Sequence, residues 1–379
     1  TQVDGIKIAF NTSAQDMFSL KKNLTNIQFN NIDTANTTSM AYMFQGCKSL
    51  TNTDLSMFVT KQVDAMSGMF DGCNSFTSID LSSFDTSNVK YMSSMFHNCI
   101  NVTEINVSSF NTAKVKNMGD MFNYCNKLES LDLSSFDTSN VTIMGYMFFH
   151  CPALKNLDIS NFKTSKVTTF VGMFAEDENL LSVDVSGFDT SNTANFGMMF
   201  YQCKRLASLN VNNFVTSKVT NMFSGCSSLA SIDVSSFDTS NVKDMSNMFK
   251  RCGFEAIDVS NFNTSNVTNM QQMFYGCQKL KSLDLSNFNT HCVTNICNMF
   301  NLCYALTSLD ISSFDTTNVT NMNWTFSNLN KLKTLSLGEK FAFVGTVYGL
   351  AGTWANSDGD EFNSMAMPNN VADTYTRVS

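Results

Sequence analysis

Proline, tryptophan and histidine are nearly missing from this chain: 2, 2 and 3 residues of 379. The three histidines, His97, His150 and His291, stand far apart, and none has a Ser or Cys partner in a recognisable catalytic context. Charge is also scarce, at 15%, but a 43% hydrophobic content excludes a disordered composition. Basic residues are in deficit, 24 against 32 acidic, for a net charge of −8. That argues against nucleic acid as a partner, since phosphates need a basic face. It also argues against adsorption to anionic membranes. No apolar run approaches the roughly 20 residues of a membrane-spanning helix. The chain starts at Thr1 without a signal-peptide pattern, so it reads as a trimmed or mature fragment.

What is abundant is 34 Phe, 24 Met and 12 Cys, with Ser, Thr and Asn filling much of the rest. Such a bias points to one short unit copied many times. The Phe of each "MF" pair falls at Phe18, Phe44, Phe70, Phe96, Phe122, Phe148, Phe174 and Phe200, always 26 apart. It continues at Phe223, Phe249, Phe274, Phe300 and Phe326, in steps of 23, 26, 25, 26 and 26. In the last of these 13 units, Thr325 replaces Met.

The stretch "LDLSSFDTSNV", residues 131–141, shows the unit well. Leu131 and Leu133 are two apart, the period of a strand with one buried face. Met144, Met147, Phe148 and Cys151 follow at i, i+3, i+4, i+7, which predicts a short helix. The "DTSN" between them is turn and helix-start chemistry. Such a unit cannot bury its apolar face alone, whereas a stack of equal units can. The expected fold is therefore an α/β repeat solenoid, with a concave parallel strand ladder and short convex helices. Residues 1–30, with Ile6, Ile8, Phe10 and Phe29, are expected to cap its start. Residues 31–337 form the repeats. Residues 338–379, with Phe341, Phe343, Tyr348, Trp354 and Phe362, are expected to cap its end.

The L-x-x-L-x-L phasing followed by M-F-x-x-C resembles the BspA-like leucine-rich repeats of bacterial surface proteins. "SSFDTSNV" followed by M-x-x-M-F-x-x-C is similar to the 26-residue-repeat branch of Gram-positive and mollicute surface proteins, over about residues 16–337. The tail from "GTWANSDGDEF" is similar to segments that follow such repeats in gut Firmicutes. The resemblance implies a right-handed leucine-rich-repeat superhelix displayed or secreted by a bacterium. It further implies roles in adhesion, aggregation or immune contact, and no catalytic residues.

Ten cysteines share one column, from Cys47 to Cys303. Zinc sites need short paired spacings, so a ladder of buried free thiols is the expected arrangement. Cys292 and Cys297 lie outside the column and allow a disulfide or an incidental pair. "NSDGDE", 356–361, reads as a hairpin turn on Asp-Gly. A repeating Thr86, Thr112, Thr138 and Thr164 raises an ice-binding face as a further reading.

Because Leu131 and Leu133 point in, Asp132 points out. The same column holds Asp80, Asp158, Asp184, Asp233, Asp258 and Asp284, and defines the expected binding stripe. Each Asp is expected to accept bonds from serines and N–H groups of neighbouring units. Departures from the repeat lie mostly between residues 170 and 226. They include Phe170, the acidic run with Glu176, Asp177 and Glu178, and Phe196, and these join the candidate site. The expected function is a non-enzymatic binding protein of a bacterial surface, without cofactor or metal. It would be a monomer that touches a host or bacterial protein, or a glycan, through the concave face. A passive stalk is the alternative, and a cation- or ice-binding array is a third reading.

Overall fold

The computed structural model describes residues 8–216 and 218–379. It divides into two compact units, Thr1–Asn192 and Thr193–Ser379. Ile6 lies outside the described residues.

No helix occurs among the described residues, so the short helices expected on one side of each repeat are not there. The backbone explains why. Ser94 and Asn98 have φ of 57 and 57°, and Tyr146 and His150 have 57 and 55°. The same two columns are left-handed in every repeat, from Asp16 and Leu20 to Trp324 and Asn328. A right-handed helix tolerates no such residue in its interior. Tight turns that need φ > 0 at their third residue form in its place. In the fourth repeat, Met95 N–H bonds the Met92 carbonyl at 3.3 Å, and Cys99 N–H bonds that of Phe96 at 3.2 Å. Alternate N–H groups reach the next repeat: Ser94 to Gly119, Phe96 to Met121 and Asn98 to Asn123, at 2.8–2.9 Å. Consecutive turns bring the chain inward every three or four residues, the spacing that a helix also produces. Met92, Met95, Phe96 and Cys99 are accordingly all fully buried.

In the first unit, parallel pairing joins β1 (Ile8–Ala9) to β2 (Ile32–Asp33) at a 24-residue register, and β3 (Ser78–Asp80) to β4 (Glu104–Asn106) and β5 (Asn156–Leu157) to β6 (Ser182–Val183) at a 26-residue register. A second column of parallel bridges runs Ser13, Ser39, Ala65, Tyr91, Asn117, Ile143, Thr169. The phenylalanines that set the period stack face to face. From Phe44 to Phe174, neighbouring ring centroids are 5.4–5.9 Å apart, tilted by at most 13°. Burying each ring contributes about 1.5–3 kcal/mol, and offset stacking adds to that. At the start, Phe10 and Phe58 pack edge-on to Phe29, which also touches Phe18 and Phe44.

The threonines of "DTSN" fasten one rung to the next. Thr138 Oγ1 donates to the Lys163 carbonyl at 2.9 Å and accepts from the Lys163 N–H at 2.7 Å. Thr86, Thr112, Thr138 and Thr164 are at most 2% exposed. A buried column presents nothing to ice, and that reading fails.

In the second unit, the missing residues of two repeats are absorbed locally. Before Phe223, Val219 takes the place of the first Met, and the Met222 N–H bonds its carbonyl at 3.0 Å. Phe223 stays stacked between Phe200 and Phe249, at 6.0 and 5.9 Å. The repeat short by one residue passes through Gly253, where a β-carbon would meet the Ser227 carbonyl oxygen at 2.1 Å. Glycine alone permits so close a backbone approach.

This unit ends in a five-stranded sheet. β7 (Ser308–Ile311) pairs in parallel with β8 (Thr334–Leu337). β9 (Thr353–Ala355) and β10 (Glu361–Asn363) form a hairpin across 356–360. β11 (Asp373–Arg377) runs antiparallel between β8 and β9. The free edge of β8 is thereby paired, which removes an open strand edge. Phe341 and Phe343 close on Phe326 at 6.3 and 6.0 Å, and Trp354 and Tyr375 are buried.

Candidate binding surface

The strand face is built by alternation. Ile79 and Leu81 are buried, and Asp80 between them is exposed; Ile159 and Asp158 repeat the pattern. Each stripe aspartate closes a small turn within its own rung. Asp132 Oδ1 accepts the Ser134 N–H at 2.9 Å, and Asp184 that of Ser186 at 2.9 Å. Asp158 accepts both the N–H and the hydroxyl of Ser160, at 3.0 and 2.8 Å. In the second unit, Asp233, Asp258 and Asp284 accept from Ser235, Ser260 and Ser286, each at 2.9 Å. The expectation of bonds to neighbouring rungs is therefore corrected. It holds for Asp80, which takes the Asn106 amide at 3.0 Å besides the Ser82 N–H, and for Asp233, which also bonds the Asn212 side chain of the rung before. A two-residue turn wins because its serine N–H is already beside the carboxylate.

These bonds favour the charged form. The Ser134 N–H, and then its hydroxyl, hold the Asp132 carboxyl below the ordinary range. Asp80, Asp158 and Asp284 are lowered by the same pair of bonds. For Asp184, Asp233 and Asp258 the serine hydroxyl contributes most. Within the first unit, the charges of Asp132 and Asp184 oppose that lowering at Asp158. Each side chain keeps a solvent-facing negative charge.

The irregular residues do not join this face. Phe170 and Phe196 are fully buried, against Phe188 and Phe214 at 5.2 and 5.3 Å. Asp177 is also buried, in the column of the cysteines. Its Oδ1 accepts the Cys151 N–H at 2.7 Å, Oδ2 has no partner, and burial pushes its carboxyl well up. Of the acidic run, Glu178 is exposed and Glu176 half-exposed, with Glu176 paired to His150 Nδ1 at 2.9 Å. A larger or unusual residue at an inward position packs inward; only the outward columns can carry a surface.

All 12 cysteines are unbridged, and those of the column are buried. Their thiols donate to the carbonyl 28 or 29 residues earlier in most rungs, as Cys73 does to Phe44 at 3.1 Å and Cys277 to Phe249 at 3.0 Å. Burial raises these thiols, to about 12 for Cys226 and Cys303. Cys292 is exposed, and Cys297 is buried and accepts from the Asn298 amide at 3.1 Å. Among the described residues, no three His, Cys, Asp or Glu side chains are grouped to hold a metal ion. No helix among them is long and apolar enough to cross a membrane.

The sequence reading passed over the turn face. Asp71 Oδ1 lies 2.7 Å from His97 Nδ1. Tyr124 packs at 6.4 Å from the His97 ring, 4.8 Å from that of His150 and 5.4 Å from Phe149. The signal was present: these residues recur at steps of 26 or 27.

The rung-by-rung pairing and the inward Leu, Met and Phe columns define a repeat protein of the leucine-rich kind. The chain belongs to the family described as "Mycoplasma protein of unknown function, DUF285", whose model matches residues 12–131, 125–230 and 219–338. Among curated proteins no sequence matches it. Similar solved structures include a leucine-rich repeat protein from Bacteroides ovatus, 17% identical, covering 83% of this chain and 86% of that one, with a TM-score of 0.44. A leucine-rich cell surface protein from Faecalibacterium prausnitzii is 19% identical, covering 79% and 82%, with a TM-score of 0.42. A leucine-rich repeat protein from Eubacterium ventriosum is 16% identical, covering 90% and 88%, with a TM-score of 0.38.

Proposed function

We propose that this chain is a non-enzymatic binding protein of a bacterial surface, cell-attached or secreted, that holds a protein partner against its strand face. One observation carries the reading. In the stripe, one carboxyl oxygen closes the local serine turn and holds the side chain in place, while the exposed side chain keeps its charge for a partner. Ordering the carboxylates beforehand lowers the cost of binding. A basic patch is the complement of such a stripe, and its attraction weakens with salt. Pull-down of basic surface and matrix proteins at low and high salt tests this, with Asp132, Asp158 and Asp184 changed together to Asn. Capture that survives the triple change removes the stripe from the account.

A second reading, a passive stalk, is favoured by the sameness of the outward residues from rung to rung. A protein site is usually built from unequal side chains around a few anchors. A chain that captures nothing at low salt, yet resists mechanical unfolding, fits the stalk.

A further inference from the structure

We infer that the turn face of the first unit carries a separate binding surface for a neutral, extended glycan, centred on the row Asp71, His97, Tyr124, His150 and Glu176. The row crosses five consecutive rungs and is nearly symmetric: carboxylate, imidazole, phenol, imidazole, carboxylate. It is independent of the strand-face reading, because none of its residues belongs to the stripe.

Three features select the ligand. First, the row leaves aromatic surface half-exposed. Tyr124 and Phe149 are both partly open to solvent and lie 5.4 Å apart, and Tyr146 adds a third ring 5.6 Å from Phe149. Grouped, partly exposed aromatics that the core does not require mark an interaction site more often than isolated ones do. The apolar C–H face of a pyranose ring packs on such rings.

Second, the carboxylates are already satisfied. Asp71 Oδ1 faces His97 Nδ1 at 2.7 Å, and its Oδ2 accepts the Gln45 amide at 2.8 Å. Glu176 Oε2 faces His150 Nδ1 at 2.9 Å. A free carboxylate beside an aromatic ring selects a cation; a paired one does not. The turn segments of these five rungs carry one lysine, Lys127, against the carboxylates of Asp71, Asp120, Glu176 and Glu178, so an anion is disfavoured as well.

Third, the half-exposed imidazoles and phenol offer hydroxyl-matching chemistry. With Nδ1 engaged, Nε2 of each imidazole lies on the far side of its ring from the carboxylate, and that of His97 is 3.4 Å from the Asn98 amide. Imidazole nitrogens and phenol hydroxyls both donate and accept, as sugar hydroxyls do. The groups repeat with the rungs, whose stacked rings are 5.4–5.9 Å apart here. That is close to the length of one pyranose residue in an extended chain, so successive sugars meet successive rungs.

The test is affinity electrophoresis of the whole chain in gels containing soluble neutral polysaccharides: mixed-linkage β-glucan, xyloglucan, galactomannan and glycogen. Calorimetry with cellohexaose and maltohexaose follows. Retardation by an extended β-linked glycan is expected. Tyr124→Ala or Phe149→Ala should weaken it about tenfold, as for loss of an aromatic anchor. Tyr124→Leu keeps the bulk and should weaken it as well. The Asp132, Asp158 and Asp184 triple change should leave it intact, which separates this surface from the strand face. The inference is overturned if no neutral glycan retards the chain, or if retardation is unchanged in all three turn-face variants at unaltered melting temperature. Binding to an arginine-rich peptide in place of any glycan would overturn it too.

Discussion

The ring of Tyr146 lies across the α-carbon of Gly172 one rung further on: a β-carbon at 172 would sit 2.4 Å from Tyr146 Cε1. Tyr42 covers Gly68 in the same way, also at 2.4 Å. Both glycines also hold a positive φ, 58 and 59°. Gly172→Ala therefore meets two penalties, left-handed strain and overlap, together about 1–3 kcal/mol. Thermal melting should show the loss. In the background of Tyr146→Ala the overlap part should disappear and the strain part remain, so the two changes will not add.

Gly253→Ala should be worse. Its β-carbon would collide with the Ser227 carbonyl, a backbone atom that cannot rotate away. A loss above about 3 kcal/mol, or failure to fold, is expected. Gly187 has nothing within 4 Å of the corresponding point. Gly187→Ala is thus the control and should shift the denaturant midpoint little. Equal effects at the two sites would contradict the close-approach account.

Thr138→Val removes a hydroxyl that both donates to and accepts from Lys163. It would strand a backbone N–H and C=O in a part-buried seam, at a cost of at most about 1–3 kcal/mol for each unsatisfied group. Thr138→Ser keeps both bonds and should cost much less. Urea unfolding of the pair separates hydrogen bonding from packing.

Asp177 gives a pH dependence of definite sign. Burial raises its folded-state pKa above the unfolded one. Its contribution is therefore fully present below the unfolded value, near 3.8, and is lost as pH rises through the folded value. Asp177→Asn abolishes that loss. The stability of the variant relative to the parent should grow from acid to neutral pH in denaturant titrations. The stripe aspartates, lowered in the folded state, act in the opposite direction and cancel in the comparison. A difference independent of pH would show that Asp177 stays charged in the fold.

Thiol reactivity should divide one against eleven. Cys292 is exposed and the other cysteines are buried, with thiols such as Cys226 raised to about 12 by burial. Only thiolates react quickly. Native protein should label at Cys292 alone with an aromatic disulfide reagent, and all 12 thiols should react after denaturation. Fewer than 12 in denaturant would reveal a disulfide.

The period of Phe residues and the alternation around Asp132 were enough to read the stacking, the parallel register and nearly all of the buried set. Those depend only on which side chains avoid water and on equal spacing. The turn segment was misread because i, i+3, i+4, i+7 is produced both by a helix and by successive tight turns. Gly46, Gly68, Gly72 and Gly172, with Asn98, Asn221, Asn247 and Asn298 in the same two columns, were the overlooked signal. Gly and Asn are the residues that accept φ > 0 most readily.

The candidate residues divide in the same way. That Asp132 faces out follows from its two leucines, so the stripe was legible. Phe170, Asp177 and Phe196 drew attention by departing from the repeat, but a departure in an inward column is answered by packing.

By itself the sequence determined the repeat, its register, its core and the outward stripe, because periodicity and burial are properties of a single unit. Tertiary structure alone decided where each aspartate's hydrogen bonds went and what the turn face became. Asp71 and His97 occupy one column of the repeat, and Tyr124, His150 and Glu176 the next. Only the left-handed turns bring both columns to one side and the rings within contact of each other.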